Sequence, residues 1–558
     1  MNKLTKRVST AFLVISLLLA SCGGNSSSGG SSSSAQSASS GDTASVSQQP
    51  EEYTLPLVTD GSVTLTVGTW YSGTLNPETV NDLPVWKKFE EDTGVKVEWE
   101  LTPNTDYNTV MQTRLAAAED LPDFINVPGG DVIKYVTAGV VQPITEQLQK
   151  YAYNTMKLYE ENPYLKSFVT APDGEIYSFT SDVSGSAKSD PYSFYIRKDW
   201  LDKFNLDLPE TVDDWYTAWK TFLDNDANGN GLKDEIPLCN DVTLRGVLAF
   251  SEAWGLRTFA SLGWSINDQG QVEYDYIKPE MKEALTWLNK CYSEGLIDKE
   301  FMTQTSDMIL SKVSQNQAGS CFRFLNGVAT WNNVLETSGI DGEYVAVAPP
   351  SSGTTGTEPF IERYGRVSGH YAFTNKVEDL ETKIKFIDYI YASQEGSWNY
   401  CFGVEGQSYE VVDNIPQYTE WATKNPDGLT LNNALLSLGC NAVSMPWNRS
   451  VEGIWSYQPL QSISSNPKTV EYANMIQDYI VESYPNGMLM TEEESSTIAQ
   501  YQADLDTYRD EMMAKFITGQ ESLDKFDTFV STIQGMHLDD VKAVKQAIYD
   551  RYVAAMGS

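Results

Sequence analysis

Short apolar runs alternate with stretches of helical periodicity between residues 63 and 127, and this alternation constrains the fold more than any other feature of the chain. Residues 63–70 read as a strand, 84–92 as a helix stopped at Gly94, and 95–101 as a second strand. Residues 107–119 then read as a helix burying Leu115, Ala116 and Ala118, and 123–127 as a third strand before Gly129 and Gly130. Strands separated by single helices predict an α/β fold with a parallel sheet and right-handed crossovers. Ligands of such sheets sit outside the carboxyl ends of the strands, which is where Trp70, Tyr71 and Asp131 fall.

A second α/β unit begins at residues 193–197, followed by a helix over 198–204. Thr211 then caps a helix over 212–224 that carries Trp215, Trp219 and Phe222 on one face. That spacing is the signature of a buried stripe, so the three rings read as core. Directly after this helix comes Asp226-Ala-Asn228-Gly-Asn230-Gly-Leu232-Lys-Asp234-Glu235, in which oxygen-bearing side chains recur at every second position around glycines. A loop of this kind can wrap a hard cation that needs six to eight oxygen ligands, and Ca2+ is the cofactor it suggests. Two registers fit. With Asp224 first, Asp226 and Asn228 follow and Glu235 falls at position 12; with Asp226 first, the ligands are Asp226, Asn228, Asn230, the Leu232 carbonyl and Asp234, with Glu235 off-template. Without an ion the stretch is an Asx-rich turn. Beyond it, a hairpin around 267–270, a helix over 279–295 and strands at 318–324, 344–349 and 370–373 precede helices at 380–393, 495–518 and 538–556.

At 558 residues the chain exceeds one ordinary core, and its net charge of -37 makes nucleic acid and anionic membrane poor partners. Lys3, Lys6 and Arg7 precede an apolar run at residues 11–20, closed by Leu19-Ala20-Ser21-Cys22. This looks like a bacterial lipobox, which implies removal of residues 1–21 and lipidation of Cys22. Residues 23–50 are mostly Ser, Gly, Ala and Gln and read as a tether. A lipid anchor is then the membrane attachment. The remaining cysteines, 239, 291, 321, 401 and 440, are scattered without metal-ligand spacing and read as buried thiols.

Several segments in order resemble the extracellular solute-binding lipoproteins of ABC transporters, in the large Gram-positive branch similar to alginate-oligosaccharide-binding proteins. They are Tyr195-Ile-Arg-Lys-Asp-Trp-Leu-Asp202, Leu208-Pro-Glu-Thr211, the 226–237 loop, Gln394-Glu-Gly396, Gly403-Val-Glu-Gly-Gln-Ser-Tyr409 and Phe516-Ile-Thr-Gly519. The resemblance implies a two-lobed, periplasmic-binding-protein-like fold of type II topology, with hinge-linked lobes closing on a ligand in the cleft. It divides the chain into the leader 1–21, the tether 22–52, lobe one at 53–188 plus 319–375, and lobe two at 189–318 plus 376–558. It also selects the second ion register, and the loop's place directly after the helix carrying Trp215, Trp219 and Phe222 gives Ca2+ a structural role. By the same resemblance the function is that of a monomeric importer subunit. It would capture an oligosaccharide at the outer face of the cell membrane and hand it to a permease.

Sugars stack C–H faces on aromatic planes and need paired donors and acceptors for their hydroxyls. Aromatics outside core periodicity and near polar loops are Trp70, Tyr71, Trp254, Trp331, Trp447, Trp455 and Tyr457; polar candidates are Asp131, Asn326, Arg366 and Asn448. Of these, Trp331 and Trp447 have the clearest loop contexts. Only two histidines exist, His370 and His537, and no Gly-x-Ser-x-Gly, P-loop or dinucleotide motif occurs, so an enzyme is not expected. The alternatives are a surface glycoside hydrolase or lyase, for which 76 acids leave room, and an adhesive carbohydrate or oligopeptide binder.

Overall fold

The computed structural model describes residues 50–71, 75–182, 192–240, 243–325, 327–353, 356–363, 367–429, 431–448 and 468–557. In chain order the strands are β1 (Thr64–Tyr71), β2 (Lys96–Pro103), β3 (Phe124–Asn126), β4 (Phe179–Asp182), β5 (Tyr192–Arg197) and β6 (Ile236–Leu238). After them come the hairpin β7 (Trp264–Ile266) and β8 (Val272–Tyr274), then β9 (Ala318–Phe324), β10 (Tyr344–Val347), β11 (Ile361–Glu362) and β12 (Val367–Phe373). A second hairpin, β13 (Tyr409–Val412) and β14 (Ile415–Tyr418), and the short β15 (Ile480–Val481) complete the set.

Two sheets organise these strands. The first has the order β2-β1-β3-β12-β4 and the second β10-β5-β9-β6. The parallel expectation holds for β1 with β2 and β3, but β12 and β4 enter antiparallel, so the first sheet is mixed. In the second, β5 is antiparallel to β9 and β10, and only β6 runs parallel to β9. The helix after β2 spans Asn104–Ala117 and buries Leu115, whereas Ala116 and Ala118 are exposed. Ala118 already lies in the left-handed region as the cap, past the helical face that the expectation assumed.

Each sheet carries its own core. Around the first, Phe124, Phe179 and Phe373 pack with Ile384, Ile387 and Tyr391 of the Leu380–Ala392 helix. Around the second, Phe194, Phe322 and Trp200 pack with Trp215, Trp219 and Phe222, all fully buried or nearly so. The Val212–Asp224 helix starts at a reciprocal capping box between Thr211 and Asp214. The Glu492–Thr518 and Leu538–Gly557 helices also join this second core.

The chain therefore passes between the two cores after β4, after β11 and between Asn448 and Lys468. This corrects the expected partition. β9 and β10 pair with β5, so residues 318–347 lie with the second sheet rather than the first. Residues 380–445 pack on the first sheet rather than the second. Strand pairing between distant segments decides the first shift, and packing of the Leu380–Ala392 helix on the first core decides the second.

The first described residues are tied to the first core. Tyr53 Oη donates to Asp388 Oδ2 at 2.8 Å, and the same carboxylate accepts Asn154 Nδ2 at 2.7 Å and Thr155 N at 2.6 Å. Asp388 is fully buried, and burial pushes its carboxyl up from the usual aspartate value. Among the described residues no helix is long and apolar enough to cross a membrane.

Candidate functional site

The carboxyl ends of β1 and β3 bear a strip of polar contacts made by a segment from far down the chain. Ser444 N donates to the Trp70 carbonyl at 3.0 Å, and Tyr71 bridges Val443. Thr69 Oγ1 donates to the Ser444 carbonyl at 2.6 Å. Asn126 Nδ2 donates to Ser444 Oγ at 3.1 Å, and Tyr371 Oη stands 2.9 Å from the same oxygen. Burial pushes the Tyr371 phenol up, so it stays a neutral hydroxyl. Trp447 N donates to Ser181 Oγ of β4 at 3.3 Å, drawing the segment across to the far strand.

Residues 443–448 thus lie over the edge where an α/β sheet presents its ligand site. Trp70, Tyr71 and Trp447 remain half-buried there, and Asn448 is fully buried. The structure brings these four expected residues to one edge.

The other expected residues go elsewhere. Trp331 is fully buried, edge-on to Tyr344 with ring centroids 4.9 Å apart and to Tyr195 at 6.1 Å. The Gly327–Thr337 helix turns that face onto β9 and β10, so Trp331 is core and not a stacking platform. Trp254 is 7% exposed and packs near Trp287, with centroids 6.1 Å apart. Asp131 accepts Lys134 N at 3.3 Å as a helix cap, and Ser495 Oγ lies 3.3 Å from its Oδ2. It is a tie between the first sheet and the Glu492–Thr518 helix. Cys22, Asn326, Arg366, Trp455 and Tyr457 lie outside the described residues.

The second sheet offers an aromatic pair that the sequence reasoning missed. Tyr192 opens β5 directly after the crossing and pairs in register with Phe324, which ends β9; their centroids are 3.9 Å apart. Phe324 is half-buried. Its signal was positional, the last residue of a strand beside the crossing that ends at Tyr192, and hydrophobic periodicity does not report that.

A buried acid pair lies beside β11, which pairs with β15. Glu362 accepts Ala260 N at 2.9 Å, Ser261 N at 3.1 Å and the Ser261 hydroxyl. Glu252 accepts Phe259 N at 3.3 Å, and its Oε2 has no hydrogen-bond partner. Arg257 approaches Glu362 at 3.9 Å and stacks on Phe360. Burial pushes both carboxyls up, and the charge of Glu362 pushes Glu252 further.

The 226–235 loop lies at the opposite end of β9 from Phe324. Gln317, just before β9, donates to Asp234 Oδ2 at 2.9 Å. Asx contacts shape the loop: Asp226 Oδ2 accepts Gly231 N, Asn228 Oδ1 accepts Asn230 N, and Asn230 Oδ1 accepts Leu232 N. Gly229 and Gly231 adopt φ of 75° and 78°, a region that favours glycine. The amides of Asn228 and Asn230 donate to Asp234. Asp226 Oδ1 and Glu235 Oε2 are buried without a hydrogen-bond partner, and Leu232 turns its side chain to solvent, leaving its carbonyl as its only possible ligand. Two orphaned anionic oxygens among amide and carbonyl oxygens are a donor set that fits a hard cation. Among the described residues, no group of three or more His, Cys, Asp or Glu side chains is gathered as a ready-made metal centre.

Comparison with known proteins gives consistent relatives. The chain is 27% identical over 519 residues to the fructooligosaccharide ABC transporter substrate-binding protein FusA of Streptococcus pneumoniae serotype 4, covering 87% of this chain and 89% of that one. Among solved structures, alginate-binding protein AlgQ2 without calcium ion matches with a TM-score of 0.74 at 24% identity, covering 89% of this chain and 100% of that one. An EF-hand mutant of S. pneumoniae FusA in complex with fructo-nystose matches with a TM-score of 0.71 at 24% identity, over 88% and 99% of the two chains. These likenesses establish the two-lobed solute-binding fold. The model of the family described as bacterial extracellular solute-binding protein matches residues 76–396, and the chain belongs to that family.

Proposed function

We propose that the protein is the substrate-binding subunit of an ABC importer and captures a carbohydrate, an oligosaccharide, between its two sheets. The observation that carries this reading is the 443–448 segment laid across the carboxyl edge of the first sheet. It sets half-buried Trp70, Tyr71 and Trp447 beside the hydroxyl and amide groups of Ser444, Asn126 and Tyr371. Flat rings next to paired donors and acceptors are what a sugar's C–H face and hydroxyls require. Phe324 at the end of β9 supplies an apolar counterpart on the second sheet. The fructooligosaccharide protein among the relatives supports the ligand class.

In this reading lobe one comprises the first sheet with residues 380–448, and lobe two the second sheet with the C-terminal helices. Closure brings Trp70 and Trp447 toward Phe324. Cys22 carries the lipid that holds the protein at the outer face of the membrane, and the protein delivers its ligand to the permease as a monomer. The loop holds Ca2+ through Asp226, Asn228, Asn230, the Leu232 carbonyl, Asp234 and Glu235, pinning the Val212–Asp224 helix to β6. β9 separates this loop from Phe324 by seven residues, about 20 Å of strand. The ion is therefore structural and remote from the ligand. The relatives described by calcium and by an EF-hand support a Ca2+ site in this loop.

Calorimetric titration of the full chain with a panel of neutral and acidic oligosaccharides, kestose among them, tests the reading. Saturable binding without product formation is expected. Steady hydrolysis or elimination of any bound sugar would show an enzyme instead.

A further inference from the structure

Beside the loop stands a lysine that the ion reading does not use. Lys203 ends the Lys198–Lys203 helix, and its Nζ donates to the Asp226 carbonyl at 2.8 Å and the Ala227 carbonyl at 3.2 Å. A Cβ built on Gly229 would lie 3.7 Å from the same Nζ, so the ammonium sits against the loop's first turn. These carbonyls follow the end of the Val212–Asp224 helix, and a cation is favoured where a helix presents its last carbonyls. Lys203 therefore does two things at once. It fixes the path by which the chain enters the loop, and it places one positive charge 2.8 Å from the Asp226 carbonyl, on the residue whose carboxylate opens the donor set.

We infer that Lys203 sets the cation affinity of the Asp226–Glu235 loop, holding the loop's first turn in shape while its charge opposes entry of a divalent ion. The inference rests on the calcium reading above. The opposing effect is electrostatic and lies near the surface, so salt screens it. The holding effect is a pair of hydrogen bonds to carbonyls and survives salt. Lys203 is a positioning residue and not a ligand, because an ammonium has no lone pair to offer a metal.

Calcium titration by calorimetry on the full chain, first stripped with chelator, tests this with Lys203→Met and Lys203→Arg. At low ionic strength Lys203→Met is expected to bind Ca2+ about three- to tenfold more tightly than the parent. Lys203→Arg is expected to match the parent, and the gap to close in 0.5 M KCl, a concentration at which the screening length falls to roughly 4 Å. In chelator, Lys203→Met is expected to be cut by protease within 226–235 faster than the parent. Equal or weaker calcium binding by Lys203→Met, with the parent binding normally, overturns the inference and leaves the calcium reading standing. Absence of calcium heat in all three proteins overturns both.

Discussion

Ser444 hydrogen-bonds through its backbone N–H to the carbonyl of Trp70, joining the end of the first strand to a segment near the other end of the chain. One contact thereby fixes where two half-buried tryptophans stand relative to the sheet. Trp70 is placed by β1, and Trp447 follows three residues after the anchor.

Trp70→Ala and Trp447→Ala are each expected to weaken oligosaccharide binding by about 10- to 100-fold, as loss of a central aromatic contact does. Their melting temperatures should move little. Trp331→Ala is expected to do the reverse, costing about 3–5 kcal/mol of stability while the fraction that folds binds normally. Calorimetry paired with thermal unfolding reads both; a binding defect in folded Trp331→Ala would return that residue to the site.

Chelation should lower the melting temperature and leave saturating ligand binding in place, since the loop and Phe324 lie at opposite ends of β9. Asp226→Asn should melt like the chelated parent and respond no further to chelator. Loss of binding at temperatures where the chelated protein is still folded would tie the loop to the cleft.

His370 is buried, with Ser178 Oγ at 2.9 Å from Nδ1 and the Gly487 carbonyl at 3.3 Å from Nε2. Burial pushes its imidazole down to about 4. A folded value below the unfolded one means that His370 adds stability above about pH 6.5, and this is lost as pH falls toward 4, by roughly 3 kcal/mol in all. His370→Gln should flatten that part of the stability profile measured by denaturant titration. An unchanged acid limb would assign the loss to other groups.

Glu252 and Glu362 act in the opposite direction. Their folded values lie above the unfolded one, so the stability they contribute is full below the ordinary glutamate value and falls as pH rises through the raised values. Glu252→Gln removes the acid with the unpartnered oxygen and keeps the shape. It should hold its melting temperature at alkaline pH better than the parent does, by a few degrees.

Local features of this fold were readable from the chain, and long-range ones were not. The Val212–Asp224 helix, its capping box and its buried Trp215, Trp219 and Phe222 follow from spacing within one window. The antiparallel entry of β12 between β3 and β4 does not, because nothing within 367–373 encodes which distant strand it will meet. The same limit explains Trp331. The sequence places it in a loop between strand and helix; it lies instead within the Gly327–Thr337 helix, and which face of a helix is covered depends on the sheet beneath it. Trp70 could be placed by reasoning from strand ends alone, whereas the polar setting that makes its edge suited to a sugar comes from Ser444.

The latch from Tyr53 to buried Asp388 also has a mechanical meaning. Tension applied to the chain ahead of Pro50 is borne first by Tyr53, Asn154 and the Leu380–Ala392 helix, all of which belong to the first core. The second core carries none of that load directly. A molecule pulled by its leading end would thus be held by one half, leaving the other unloaded and able to swing.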